Sequence, residues 1–113
     1  MIKEEGLMAG IDDFRKIELK IASIVEVKDH PNADKLYVIT VDLGDVKKEV
    51  VAGIKPSYTK EALVGKQVVI VNNLDPVTLR GVQSNGMILA ASDDTGIVVV
   101  TTDKPVKLGS IVK

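Results

Sequence analysis

The chain has no cysteine, no tryptophan, a single histidine and only three aromatic residues, Phe14, Tyr37 and Tyr58. Each scarcity removes a class of chemistry. Without cysteine there is no disulfide, no thiolate nucleophile and no cysteine-ligated zinc, which suits a reducing compartment. So few rings cannot serve a protein that holds single-stranded nucleic acid by stacking successive bases on aromatic faces. Charge of one sign is also lacking. Fifteen basic residues stand against 16 acidic ones, for a net charge of −1, so no global field draws the chain to nucleic acid or to an anionic membrane. Any anion site must be local. Long apolar runs are missing too: the first ten residues, MIKEEGLMAG, carry two early glutamates and read as neither a signal peptide nor a membrane span, so a cytoplasmic location is expected.

What the chain has in abundance is β-branched aliphatic side chains. Val and Ile together number 29 of 113 residues, and they favour a pleated, half-buried surface. The length suits one domain with one modest core, so an all-β domain filled by aliphatic residues is expected.

Along the chain, residues 1–10 lack a clear period and read as an N-terminal extension, with Ile2, Leu7 and Met8 apolar enough to pack on something. Asp12 and Asp13 suit the start of a short helical segment over 11–16, where the helix dipole favours negative charge. From Ile17 the period becomes two, with Ile17, Leu19, Ile21, Ser23, Val25 and Val27 on one face of a long first strand. Ile24 then falls among polar neighbours, which predicts a bulge or bend near 22–24. The stretch DHPNADK, 29–35, is turn chemistry. Strands follow over 36–43 and 48–52, separated by the Gly44-Asp45 turn. Thr59 caps a short helix over 60–63, with Gly65 at its end. Lys66 to Asn72 is a fourth strand, a polar loop crosses from Asn72, and strands over 87–92 and 96–101 are joined through SDDTG. Three strands, a short helix and further strands are the order of an OB-fold, a five-stranded Greek-key barrel, here over residues 11–113 and flanked by short terminal extensions. In that fold the loops after the first and fourth strands bind ligand, which points to DHPNADK and to the polar stretch 72–92.

The chemistry available in those loops is that of recognition. His30, beside Asp29 and near Asp34, has the residue types of a metal or acid–base site, but turns are rich in Asp anyway, and it reads as a turn histidine able to hydrogen-bond a partner. No Ser or Thr has a recognisable base, and no glycine run cradles phosphate, so no catalytic residue, cofactor or metal is expected. Lys35, Lys47, Lys48, Lys66 and Arg80 form a cationic track if their strands share a face, and ordinary solvated surface if they do not. By spacing alone Asn72 and Asn73 satisfy a strand end, Ser84-Asn85-Gly86 is a turn, and Met87 fills core space.

Four motifs are specific together: HPNADKLYV at 30–38, VVAGI at 50–54, NNLDPVTLRGV at 72–82 and SNGMILAAS at 84–92. With them the chain, from IDDFRKIELKIASI to KLGSIV, resembles the stand-alone tRNA-binding OB-fold proteins related to the C-terminal domain of methionyl-tRNA synthetase. The resemblance implies a homodimer that binds tRNA by shape at the outer corner of its L, free or as an accessory subunit of methionyl-tRNA synthetase, without catalysis of its own. It implies RNA contacts at Lys35, Asn73, Arg80, Ser84 and Met87. Scarce aromatics agree, since Lys, Arg, Asn and Ser suit backbone and 2′-hydroxyl contacts to folded RNA. Asp75 departs from the family, which often has a basic residue there and more positive charge near Val77 and Thr78. A related branch resembles an export chaperone, so a peptide-binding dimer of the same fold is the alternative.

Overall fold

The computed structural model describes residues 7–113, so Ile2 lies outside the described residues. A short helix, α1 (Ile11–Arg15), leads into β1 (Leu19–Asp29), the strand on which the sheet is built. The first half of β1 pairs antiparallel with β4 (Gln67–Val71), and its second half with β2 (Tyr37–Asp42). One strand serving two neighbours in succession must bend. It does so at a break in register between Ile24 and Glu26, where the extra residue is Val25.

That bulge lies just beyond the predicted place, and it reassigns the buried face. Ala22, Ile24 and Val27 are in the core, while Val25 is exposed. Ile24, which the strict alternation puts among polar residues, is only 1% exposed, because the inward face follows the even positions before the bulge and the odd ones after it.

β3 (Lys47–Ala52) returns along β2 in a hairpin, and the chain then drops through α2 (Lys60–Leu63) to β4. The α2 start is held by Thr59, whose hydroxyl accepts from the Ala62 N–H at 3.2 Å. Its single apolar turn sends Leu63 completely inside, against the same cluster as Ile24, Ile39, Val41, Val50, Val68 and Ile70. Each such aliphatic side chain, fully withdrawn from water, contributes about 1.5–3 kcal/mol before entropy is counted. The sheet order is β3-β2-β1-β4-β7, where β7 (Met87–Ile88) takes the place of a fifth strand. The curled sheet is drawn together on its β3 side by two bonds, Asn85 N–H to the Glu49 carbonyl and Val51 N–H to the Ser84 hydroxyl, both 2.9 Å. A five-stranded curled sheet with a helix between strands three and four is the expected OB-fold.

The second half differs from the expectation in detail. The stretch from Asn72 is not a plain loop: it carries a hairpin of β5 (Val77–Leu79) and β6 (Val82–Ser84). The single strand expected over 87–92 is broken at Leu89 into β7 and β8 (Ala90–Asp93), and β8 pairs with β9 (Gly96–Val99) as a separate ribbon. A last short strand, β10 (Ile111–Val112), lies against the start of β1.

Candidate nucleic-acid interface

The turn of the β5–β6 hairpin is Arg80-Gly81, between the paired residues Leu79 and Val82. Both turn residues have positive φ, 54° and 92°, the pattern of a type I′ turn that matches the twist of the flanking strands. Glycine adopts this conformation freely, but for an L-residue it costs about 1–2 kcal/mol. Arginine at the first position is therefore held there by something outside the hairpin.

What holds it is the loop between β1 and β2. Asn32 Nδ2 donates to the Arg80 carbonyl at 3.1 Å, and Arg80 Nη2 donates back to the Asn32 carbonyl at 3.3 Å. Next to this exchange His30 is buried, 6% exposed, with Nε2 2.9 Å from the Leu79 carbonyl and Nδ1 accepting from the Asn32 N–H at 2.9 Å. A backbone N–H only donates and a carbonyl only accepts, so the ring carries its proton on Nε2 and is neutral. His30 is thus more than a turn residue. It joins two loops 49 positions apart in sequence.

The joint frames a cleft of about 440 Å³ lined by Asn32, Ala33, Asp34, Lys35, Leu36 and Arg80. Two of the expected RNA contacts, Lys35 and Arg80, line it together. Arg80 brings a planar fork of donors suited to a phosphate, and Lys35 a compact positive charge.

The other expected contacts lie elsewhere. Asn73 stands beside the start of β1, where its amide accepts from the Glu18 N–H and donates to the Lys16 carbonyl, both at 2.7 Å. Ser84 is 6% exposed, and its hydroxyl also donates to the Gly86 carbonyl at 3.0 Å, so both its roles are spent on the seam of the sheet. Met87 is 46% exposed at the edge of the sheet, opposite Val71. The wider cationic track is interrupted: Lys47 lies at the far end of the β2–β3 hairpin, and Lys48 donates to the Asn72 carbonyl at 3.0 Å. Asp75 is exposed at the base of the excursion. Five residues of chain, three of them in β5, separate it from Arg80 at the tip, a reach of at most roughly 16 Å.

Two cations that sequence reasoning missed stand beside the β1 end of the joint. Lys55 and Lys60 both reach the Asp29 carboxylate at 3.0 Å, and Lys55 also lies 6.0 Å above the Tyr37 ring. The hydrogen bond from Lys60, then that from Lys55, holds the Asp29 carboxyl below its ordinary range. The same contact with Asp29 raises Lys60. These groups are exposed, so the pairs add little stability. What Asp29 adds is present above the ordinary carboxylate range and is lost as pH falls through its lowered value. Asn32 was also missed; its position in a Pro-Asn turn gives no sign that its partner is Arg80.

Residues 19–111 match the family model described as "Putative tRNA binding domain". The chain belongs to the tRNA-binding domain family. The domain is 49% identical over 111 residues to a methionine–tRNA ligase of Nanoarchaeum equitans, an alignment that covers 98% of this chain and 14% of the ligase. It therefore spans a small part of the curated relatives it matches. A methionyl-tRNA synthetase-related protein from Pyrococcus horikoshii shares its fold with a TM-score of 0.87 and 28% identity, over 94% of this chain and 98% of that one. A CsaA chaperone from Picrophilus torridus gives the same TM-score and identity, over 94% of this chain and 100% of that one. By its family the domain is a small tRNA-binding module. Among the described residues no helix is long and apolar enough to cross a membrane.

Proposed function

We propose that the domain binds folded tRNA by its shape, at the outer corner of the L, through the cleft between the β1–β2 loop and the β5–β6 hairpin. The observation that carries this reading is the convergence of Lys35 and Arg80 on one cleft in a member of a tRNA-binding family. Backbone phosphates meet the two cations, and a protein with so few aromatic rings has no stacking platform that would favour unpaired bases. Asn73 and Met87 make peripheral contacts, while Ser84 acts by holding β6 against β3. The domain works in the cytoplasm as an accessory to methionyl-tRNA synthetase. It does so as a homodimer, whose seam is supplied by the exposed apolar residues gathered from both ends of the chain, Leu7, Met8, Phe14, Ile17 and Ile111. Strand β10 brings Ile111 to the start of β1, close to where α1 enters, which supports one continuous seam. Two sites on one dimer make the second RNA contact intramolecular and strengthen a weakly charged surface.

Competition of tRNA against an unstructured RNA of equal length, at constant salt, tests the reading. The folded RNA is expected to win, and light scattering is expected to give twice the chain mass. Equal competition would sink shape recognition, and a monomer mass would sink the paired sites. The likeness to CsaA supports peptide binding as the second reading. Suppression of client aggregation without any tRNA binding would put it first.

A further inference from the structure

We infer that His30 is a positioning residue for the RNA contact, and that its neutral ring makes tRNA affinity fall as the solution is acidified. This inference rests on the tRNA-binding reading above.

The geometry carries it. Arg80 occupies a left-handed conformation that its own hairpin does not favour, and the bonds that keep it there come from Asn32. Asn32 is in turn oriented by its N–H, which donates to His30 Nδ1, while His30 Nε2–H is bonded to the residue preceding Arg80. His30 therefore anchors both sides of the Arg80 exchange. The hairpin turn packs directly on Asn32, since a Cβ built at Gly81 would lie in ordinary contact, 3.5 Å, with Asn32 Nδ2.

Protonation places a second hydrogen on Nδ1, where a donor already points. Two donors face one another in a buried site, and the bond between His30 and Asn32 is broken. The hairpin is then released from the β1–β2 loop, Arg80 leaves its place beside Lys35, and the two cations no longer share a cleft. This direction is opposite to the ordinary one. A positive charge gained near a phosphate site strengthens binding by itself, so weaker binding in acid reports the joint and not the added charge.

The charged groups of the elements that meet there are Asp29 at the end of β1 with its partners Lys55 and Lys60, Asp34 and Lys35 in the loop, and Arg80 on the hairpin. Asp29 is kept ionised by its two lysines well into acid, so it supplies no titration in this range. His30 is the chain's one histidine, the side chain type whose charge ordinarily changes between about pH 5 and 8.

The test is tRNA affinity of the full chain by fluorescence anisotropy at about pH 7.5 and about pH 5.5, at one ionic strength. The wild type is compared with His30→Gln, which keeps a donor and an acceptor but does not titrate, and with Arg80→Ala. The wild type is expected to bind roughly tenfold more weakly in acid. His30→Gln, which disturbs the ring's bonds to Leu79 and Asn32, is expected to bind more weakly than the wild type near neutrality and to be indifferent to pH, and Arg80→Ala to be weak and indifferent. Titration effects on the RNA itself are common to all three proteins. Stronger or unchanged binding by the wild type in acid overturns the inference, as does a His30→Gln protein that keeps the wild-type pH response. An RNA-free readout separates this inference from the tRNA reading. In nitrogen-detected NMR the neutral ring is expected to carry its proton on Nε2, and the Asn32 and Arg80 amides to shift together with the ring as it titrates. A proton on Nδ1, or amides that ignore the ring, refutes the joint whether or not tRNA binds.

Discussion

Replacing both Lys35 and Arg80 with alanine is expected to weaken tRNA binding roughly a hundredfold, about 1.4 kcal/mol for each cation removed. The plot of log affinity against log salt should become shallower by about two, because two fewer counterions are released on binding. The two residues share one cleft, so their separate effects need not add, and the double variant is measured beside both single ones. Thermal stability should be little changed: Lys35 is exposed, and alanine at position 80 keeps the same turn, giving up only the 3.3 Å guanidinium bond to Asn32. Arg80→Lys is the informative partner. It retains the charge without the planar fork, so it should keep the salt slope of the wild type while giving up part of the affinity. Wild-type affinity in the double variant would place the RNA elsewhere on the domain.

The second large effect is on the fold. Ile39 lies in the middle of β2, completely buried, with Val27 opposite it on β1 and Val50 on β3. Ile39→Ala removes three carbons from a closely packed aliphatic cluster and is expected to cost about 2–5 kcal/mol, of a total stability of about 5–15 kcal/mol for a domain of this kind. That corresponds to a fall in Tm of about 10–20 °C by calorimetry. Affinity for tRNA per folded molecule should be unchanged at temperatures where the variant is folded, since no atom of Ile39 reaches the cleft. A destabilisation under about 1 kcal/mol would mean that the two hairpin partners close over the gap and that the core is less rigid than its burial implies.

The strands with alternating or continuous β-branched residues were legible, because the period of two and the runs VVIV and YVIT leave few other solutions. The α2 turn was legible from Thr59 and Gly65. The bulge in β1 was legible from Ile24 falling among polar residues, but its place was missed by a residue; Val25, which it pushes outward, is as apolar as those it leaves inside. The β5–β6 hairpin was missed for a related reason. Its turn is Arg-Gly where the familiar local signal is Asn-Gly, and the bonds that make arginine acceptable come from Asn32, 48 positions away. The candidate site divides in the same manner. Lys35 and Arg80 could be named from two loops expected at one end of the fold, but the polar atoms of Asn73 and Ser84 are taken up by backbone groups of Lys16, Glu18, Val51 and Gly86, and no spacing in the sequence reveals those partners. His30 shows the reverse error. A histidine between Asp and Pro has every mark of an exposed turn, and only the arrival of Leu79 from the far hairpin buries it.

The central claim is that the β1–β2 loop and the β5–β6 hairpin form one RNA-binding face. Backbone amide shifts of the labelled domain, followed as tRNA is added, test it most directly. The account predicts that the largest changes fall together on residues 32–36 and 79–81, with Lys20, Gly44 and Leu108, grouped around the opposite ends of β1 and β2, unmoved. Changes centred on those three, with the loop and the hairpin tip silent, would contradict it.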